Sequence, residues 1–218
     1  MKPYYEDELV TLYHGDCLEV TEWLAADVLV TDPPYGVEYT SGRVAGRVRS
    51  GTSIKNDHSP ATRDAALALW GNRPSIAFGS WRVPPPAATR QQLIWDKGDD
   101  PGTGDLTIPW GSSFEEIYVA GKGEIWGGGR TVAVIRAIKP LGNNRPDHPT
   151  PKPIGLMEVL IARCPPGVVA DPFAGSGATL IAARNLGRRS IGVELEERYC
   201  DLIAKRLSQQ AFDLGDIA

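Results

Sequence analysis

A carboxylate, two prolines and an aromatic ring stand side by side as Asp32-Pro33-Pro34-Tyr35, directly after the largely apolar run at residues 28–31. Two successive prolines fix φ and remove two backbone N–H donors, so they predict a rigid turn whose carbonyl groups point outward. In such a turn Asp32 and the Pro33 carbonyl can accept both hydrogens of a planar amine, while Tyr35 stacks on its ring. The alternative is a proline turn that only ends a strand, and the tripeptide by itself leaves both open.

Residues 168–195 predict a second site, because they have the pattern strand, glycine turn, helix and strand. Gly175 and Gly177 would let the backbone approach a ligand where a side chain would clash. Glu194 lies 23 residues after Asp171, close to the spacing at which an acidic group meets ribose hydroxyls in a βαβ nucleotide site. A carboxylate can accept hydrogen bonds from both of these hydroxyls.

The details of this turn exclude two common phosphate-binding sites. A dinucleotide fingerprint needs glycine or alanine where Leu180 stands, and the Lys-Ser/Thr pair of a P-loop is missing. Asp171 would repel a pyrophosphate but suits a cationic ligand. The segment therefore predicts a nucleoside joined to an amino acid and a sulfonium, and a glycine turn without any ligand is the alternative.

Five short segments together resemble the amino-methylating DNA methyltransferases, which share a D/N/S-P-P-Y/F/W motif. DPPY (32–35) matches their catalytic motif, and DPFAGSG (171–177) is similar to the motif that binds S-adenosylmethionine. HPTPKP (148–153) is similar to an element that packs against the methionine end of this cofactor. HGDC (14–17) resembles the acidic turn that meets the adenine end of the cofactor. VEL (193–195) resembles the strand end that carries the ribose-binding acid.

The order of the segments resembles the circularly permuted, beta-type arrangement of that family, in which the catalytic motif precedes the cofactor motif. The resemblance implies an α/β, Rossmann-like methyltransferase fold with a seven-stranded, mostly parallel sheet that contains one antiparallel strand. It also implies that the strand ending at Asp16 lies beside the strand ending at Asp171, and the latter beside the strand ending at Asp32. Both sites would then open at the carboxyl ends of neighbouring strands, where open α/β sheets bind ligands.

By this resemblance the DPPY turn is catalytic, S-adenosylmethionine is the cofactor and no metal takes part. The catalytic residues are Asp32, Pro33, Pro34 and Tyr35. The cofactor-binding residues are Asp16, Cys17, Asp32, His148, Thr150, Lys152, Asp171, Pro172, Phe173, Ala174, Gly175, Ser176, Gly177, Thr179, Glu194 and Leu195.

The implied reaction is methyl transfer to the exocyclic amine of a base that has been flipped out of double-stranded DNA. Adenine N6 is favoured over cytosine N4, because the P-P-Y motif begins with Asp32 and not with serine. Methylation of RNA or of protein glutamine is a less favoured alternative, since relatives with those substrates mostly have the opposite motif order. A cofactor-binding module that has lost its chemistry is disfavoured, because all five segments are intact.

A basic segment directly after the catalytic motif is the candidate for contact with DNA phosphates. Residues 42–55 interleave four cations with glycine and serine, which predicts a flexible loop near the mouth of the site. The four cations are Arg43, Arg47, Arg49 and Lys55. An ordinary solvated loop is the alternative interpretation.

Length and composition predict one domain, residues 1–218. A chain of 218 residues with 42% hydrophobic and 23% charged residues is within the range of a single α/β domain. The net charge of −4 argues against binding nucleic acid through the global field, but not against a local basic surface. Three widely spaced cysteines, and the lack of a signal peptide or membrane-length apolar run, predict a cytoplasmic protein with reduced thiols.

Strands and helices alternate at both ends of the chain, which predicts a parallel sheet with crossover helices. Helices are expected at 18–26, 62–70, 153–163, 178–186 and 196–207. Strands are expected within 9–16, 28–36, 75–80, 92–97, 114–121, 168–177 and 190–195.

The loop-rich stretch at about 98–147 is expected to be an insertion that reads the target sequence. Little of the chain is left for a separate recognition domain. We therefore expect a short target, a homodimer that shares the recognition task, or a helper subunit.

Overall fold

The structure is a computed structural model, and it describes seven stretches of the chain. These are residues 1–37, 43–44, 47–48, 58–99, 107–122, 126–138 and 151–215, with the side chains of 43–44, 47–48 and 210–215 outside the description.

In these stretches eleven strands and four α-helices are present, and nine of the strands form one sheet. The strands are β1 (Tyr5–Glu6), β2 (Val10–His14), β3 (Val28–Thr31), β4 (Arg43–Val44), β5 (Arg47–Val48), β6 (Ser75–Gly79), β7 (Gln91–Asp96), β8 (Phe114–Ala120), β9 (Val134–Arg136), β10 (Val169–Asp171) and β11 (Ser190–Glu194). The helices are α1 (Ala61–Trp70), α2 (Ile154–Ile161), α3 (Ala178–Asn185) and α4 (Glu197–Gly215). β4 and β5 form a separate two-stranded hairpin.

The sheet has the order β1-β2-β11-β10-β3-β6-β8-β7-β9. Among the seven central strands, from β2 to β7, six run parallel and β8 runs antiparallel to both of its neighbours. This arrangement confirms the predicted seven-stranded, mostly parallel sheet with one antiparallel strand. The short strands β1 and β9 extend the sheet at its two edges, the first antiparallel and the second parallel to its neighbour.

One predicted pair of neighbours is wrong. β2, which precedes Asp16, does not pair with β10, because β11 lies between them and pairs with both. β10 does pair with β3, as expected. The carboxyl ends of the parallel strands therefore meet in the order Asp16, Glu194, Asp171 and Asp32.

Both faces of the central parallel strands are covered, which explains why their sequences are almost entirely apolar. All four residues of β3 are buried. Val28 and Val30 pack with α2 and α3 on one face, whereas Leu29 packs on the other face with α1 and the 3₁₀ helix Glu22–Ala25. A third apolar cluster joins α3 and α4 to β2.

Two segments differ from the sequence prediction. Residues 18–26 form a turn and the short 3₁₀ helix instead of a longer α-helix. The Asp16 carboxylate accepts the Leu18 N–H, and the Asp16 carbonyl accepts the N–H groups of Glu19 and Val20, which closes one short turn. β9 was not expected, since a run of three residues carries no periodicity, and it forms through pairing with β7. β8, a predicted strand, and β9 both lie within the stretch 98–147 and join the main sheet, and target recognition by the rest of that stretch stays a prediction.

The turn between β10 and α3 depends on a left-handed residue at its last position. Gly177 has a φ of 79° and directly precedes α3. A Cβ atom at this position would lie 2.9 Å from Cγ1 of Ile203, a buried residue of α4. The turn therefore needs glycine both for its backbone conformation and for the close approach of α4.

We expect Gly177→Ala to destabilise the protein more than Gly187→Ala. Gly187 also has a positive φ, of 66°, but a Cβ atom there would meet nothing within 4 Å. The control variant therefore carries only backbone strain of about 1 kcal/mol, whereas Gly177→Ala adds overpacking of about 1–3 kcal/mol against Ile203. Denaturant unfolding of both variants measures the difference, and equal losses would contradict the role of the Ile203 contact.

Candidate active site

The DPPY turn lies at the carboxyl end of β3, near the middle of the sheet. Pro33 and Pro34 are buried, whereas Asp32 and Tyr35 are half-buried. The Tyr35 hydroxyl donates to Oδ1 of Asp32 over 2.7 Å, and the ammonium group of Lys152 donates to Oδ2 of the same carboxylate. Lys152 is buried and lies just before α2. The structure thus brings the DPPY turn and the end of the HPTPKP segment into contact.

A second carboxylate, that of Glu115 in β8, faces the same lysine and tyrosine. Its Oε2 atom lies 3.2 Å from Nζ of Lys152 and 3.0 Å from the Tyr35 hydroxyl, and its Oε1 atom lies 2.7 Å from Nζ of Lys97. Because β8 runs antiparallel to its neighbours, its first residues lie at the edge where the parallel strands end. We call Asp32, Tyr35, Lys97, Glu115 and Lys152 the charge cluster.

Burial and mutual charge set the protonation states of the charge cluster. Burial raises the pKa of Glu115, but the positive charges of Lys152 and Lys97 outweigh the effect of burial and lower this pKa to about 2. Burial also raises the pKa of Asp32, the charge of Glu115 adds to this rise, and Lys152 opposes it only in part. The pKa of Lys152 is raised, because its two carboxylate partners outweigh burial. Glu115 is thus ionised throughout the neutral range, and Asp32 is the better proton acceptor of the two.

The glycine turn and the ends of β2 and β11 form a second site. The buried Glu194 carboxylate accepts hydrogen bonds from the N–H groups of Gly175, at 2.7 Å, and Glu196, at 2.8 Å. Burial raises the pKa of Glu194 to about 7, although these two hydrogen bonds oppose the shift. The Gly15 N–H donates to the Glu194 carbonyl over 2.9 Å, which joins the Asp16 turn to this site.

Asp171 joins the two sites. Its buried carboxylate accepts hydrogen bonds from the Thr31 hydroxyl at 2.6 Å and the Phe173 N–H at 3.1 Å, and the Thr179 side chain also donates to it. Burial raises the pKa of Asp171 to about 6, against the effect of these hydrogen bonds. Since Thr31 directly precedes Asp32, the Thr31–Asp171 bond ties the DPPY turn to the glycine turn across 140 sequence positions.

Most residues that were predicted to bind the cofactor lie at this edge of the sheet. Cys17 belongs to the packed layer beneath the Asp16 turn, since it is buried and its carbonyl accepts the indole N–H of Trp23. Burial raises the pKa of the Cys17 thiol to about 12, so it stays neutral. The residues found together are Asp16, Cys17, Asp32, Lys152, Asp171, Pro172, Phe173, Ala174, Gly175, Ser176, Gly177, Thr179, Glu194 and Leu195. Their individual roles as cofactor contacts stay predictions.

Several predicted residues lie outside the described part of the chain. These are His148, Thr150, Arg49 and Lys55. Arg43 and Arg47 lie on opposite strands of the β4–β5 hairpin, but their side chains are outside the description. The role of this basic segment in DNA binding stays a prediction.

The sequence analysis missed three residues of the site, namely Thr31, Lys97 and Glu115. Lys97 ends the strand-like segment QLIWDK, and Glu115 stands near the start of FEEIYVA, so each shows a charge beside an apolar run. A charged residue next to an apolar strand was the one feature of the sequence that could have indicated these two residues. It does not reveal that β8 lies between β6 and β7. This strand order brings Glu115 to Lys152 and Tyr35, and Lys97 to Glu115.

Other kinds of site are not seen in the described stretches. There, no group of three or more His, Cys, Asp and Glu side chains could hold a metal ion. No helix in the same stretches is long and apolar enough to cross a bilayer. Cys17, Cys164 and Cys200 are buried and form no disulfide bond.

The fold is that of solved DNA methyltransferases. M1.HpyAVI in complex with SAM matches with a TM-score of 0.66 at 24% identity, over 91% of this chain and 99% of that chain. The PvuII DNA methyltransferase, which is cytosine-N4-specific, matches with a TM-score of 0.68 at 15% identity, over 93% of this chain and 88% of that chain. At these identities the likeness shows the fold alone.

Two relatives and a family model extend the likeness to the sequence. The type II methyltransferase M.ScaI of Streptomyces caespitosus is 28% identical over 272 aligned positions, which cover 98% of this chain and 86% of that protein. The YubD protein of Escherichia coli (strain K12), whose name describes a methylase, is 30% identical over 217 positions, 92% of each chain. The DNA methylase family model for N6 and N4 enzymes matches residues 109–206. This chain therefore belongs to the N6/N4 DNA methylase family and is a DNA methyltransferase.

Proposed function

We propose that this methyltransferase transfers a methyl group from S-adenosylmethionine to the N6 amine of an adenine that is flipped out of double-stranded DNA. The observation that carries the proposal is the Thr31–Asp171 hydrogen bond, which holds the Asp32 carboxylate next to the glycine turn. An amine acceptor and a nucleoside site then open at one edge of the sheet. A flipped base would enter between them, because the amine is inaccessible inside a duplex.

Asp32 has the charge and the rigid setting needed to activate an exocyclic amine. The lone pair of such an amine is delocalised into the ring, which makes the nitrogen a poor nucleophile. Hydrogen bonds to Asp32 and to the Pro33 carbonyl favour a pyramidal nitrogen and stabilise the positive charge that grows on it. The two prolines hold both acceptors in place, so the acceptors need little reorganisation during the reaction. The methylated amine then loses one proton, and burial makes Asp32 a stronger base than an exposed aspartate.

The glycine turn fits a ligand that has a ribose and a positive charge. S-adenosylmethionine supplies the methyl group as part of a sulfonium. A carboxylate has about four lone-pair sites, so Glu194 can accept ribose hydroxyls in addition to its two backbone partners. In the described stretches, the hydrogen-bond donors to Asp16, Asp171 and Glu194 are neutral N–H and O–H groups, which leaves this site net negative and suited to a cation.

Adenine is proposed over cytosine because Asp32 begins the P-P-Y motif. The fold does not discriminate between the two bases, since the cytosine-N4-specific PvuII enzyme shares it. Mass spectrometry of nucleosides from DNA incubated with the protein and S-adenosylmethionine decides the question. Detection of N6-methyladenine supports the proposal, whereas detection of N4-methylcytosine would show that the target base is cytosine and not adenine. RNA or a glutamine-containing protein, added as a competitor in the same assay, tests the less favoured substrates.

Asp32→Ala is expected to lower turnover by about 10²–10³-fold, as for loss of a preorganised charge-stabilising group, while binding of S-adenosylmethionine is retained. Single-turnover methylation and calorimetry measure the two effects separately. Asp201→Ala is the control, because it removes an exposed carboxylate on α4, away from the DPPY turn, whose partner is the exposed Tyr4. Turnover of Asp32→Ala like that of the wild type would overturn the assignment of Asp32.

Binding of the ribose is expected to weaken by about tenfold between pH 8 and pH 6, because hydroxyl donors need the ionised form of Glu194, whose pKa is about 7. Below that pH the carboxyl group must first lose its proton, so the affinity falls. 5′-Methylthioadenosine is a suitable probe, since it has the ribose but no group that titrates in this range. In Glu194→Gln the binding should be weak and independent of pH, whereas Glu197→Gln, which removes an exposed carboxylate at the start of α4, should keep the wild-type pH dependence. An unchanged slope in Glu194→Gln would exclude Glu194 as the ribose acceptor.

DNA phosphates are proposed to contact the hairpin formed by β4 and β5, which follows the catalytic turn. Replacing Arg43 and Arg47 by glutamine should raise the KM for DNA and lower the salt dependence by about one unit of slope per lost contact. Arg189→Gln is the control, because Arg189 is exposed at the opposite end of the sheet, before β11. An unchanged salt slope in the double variant would remove the hairpin from the DNA interface. The remainder of 98–147 is proposed to complete target recognition, alone or in a homodimer.

A further inference from the structure

Lys152 is shared between two carboxylates. Its ammonium group contacts Oδ2 of Asp32 and lies 3.2 Å from Oε2 of Glu115. Oδ1 of Asp32 accepts the Tyr35 hydroxyl, so both oxygens of the proposed amine acceptor already have a partner. A cation bound to Asp32 alone would neutralise the charge that the reacting amine needs.

We propose that Glu115 is a positioning residue, which holds Lys152 and Tyr35 through its Oε2 atom and thereby leaves Asp32 able to accept the target amine. This inference rests on the proposed role of Asp32. In this proposal Glu115 acts only through Lys152 and Tyr35, its two neighbours in the charge cluster.

The geometry of Glu115 suits this role. Its backbone is held in β8, opposite Trp95 of β7, so the position of its Cα atom is fixed by the pairing of the two strands. Lys97 follows β7 and binds the other carboxylate oxygen, Oε1, at 2.7 Å. Lys97 thus anchors Glu115 from one side, and Oε2 is left to face Lys152 and Tyr35. The side chains of Lys97 and Lys152 are 8% and 5% exposed, so water competes little with these contacts.

The charges around Asp32 determine what happens when Glu115 is neutralised. Asp32 is faced by Tyr35 from its own turn, by Lys152 from the segment before α2, by Glu115 from β8 and by Asp171 from β10. Without the negative charge on Glu115, Lys152 would pair with Asp32 alone. The pKa of Asp32 would then fall, and its carboxylate would become a weaker acceptor for the amine.

The test is the pH dependence of kcat/KM for DNA in Glu115→Gln, measured at saturating S-adenosylmethionine so that the titration of Glu194 does not set the acid limb. Since activity requires ionised Asp32, it is lost as the pH falls through the pKa of Asp32. We expect the plateau of kcat/KM to fall about tenfold and the acid limb to move about one pH unit lower, with unchanged affinity for S-adenosylmethionine. Glu116→Gln is the matched control, because its carboxylate points to the opposite face of the sheet, where it binds Tyr118 and Gln92. Its pH profile should be that of the wild type.

Two further variants separate positioning from a structural role. Lys97→Gln removes one of the two cations that pair with Glu115, so Glu115 pairs more strongly with Lys152 and Lys152 less with Asp32. The pKa of Asp32 should then rise, and the acid limb should move to higher pH, opposite to the shift in Glu115→Gln. In a Lys152→Met background, Glu115→Gln should have no further effect on kcat/KM. An acid limb that stays in place in both single variants, or a full effect of Glu115→Gln without Lys152, would overturn the proposal. Failure of the proposed role of Asp32 is recognised separately, by an active Asp32→Ala variant.

Discussion

The two halves of the site depend on the parallel pairing of β3 with β10, which the Thr31–Asp171 hydrogen bond closes at the carboxyl edge. Parallel neighbours end at the same edge of a sheet, so the turns that follow them must open side by side. The prolines after β3 and the glycines after β10 then give these turns opposite properties. One turn is rigid and presents oxygen acceptors, and the other lets a ligand come close to the backbone.

The antiparallel strand β8 adds what the parallel strands cannot supply at that edge. Parallel strands present their last residues there, whereas β8 presents its first, and so Glu115 reaches the cluster around Asp32. Placing two half-buried carboxylates against two buried lysines is costly, and apolar residues of similar volume often give equal or greater stability. The charge cluster is therefore better explained by its effect on Asp32 than by a contribution to folding. Its members also set one another's pKa values, which makes the cluster act as one unit.

Local patterns were sufficient for much of the fold and for part of the site. The buried strands were recognisable as short apolar runs, and the helices after residues 60, 153, 177 and 196 by their period. Asp32, Asp171 and Glu194 stood out because strand ends in an α/β sheet carry the ligand-binding residues. The segment 18–26 was mistaken for an α-helix, because its apolar period does not show that the Asp16 carboxylate and carbonyl accept the N–H groups of residues 18–20 and close a short turn there.

The amino-acid sequence by itself determined the two turns, since proline and glycine act on the backbone at their own positions whatever surrounds them. It also determined which runs are buried, and thereby the class of fold. Only the tertiary structure decided that β11 separates β2 from β10 and that Glu115 and Lys97 meet Lys152. The physical reason is that strand order and register follow from side-chain packing between distant segments. No local period contains that information.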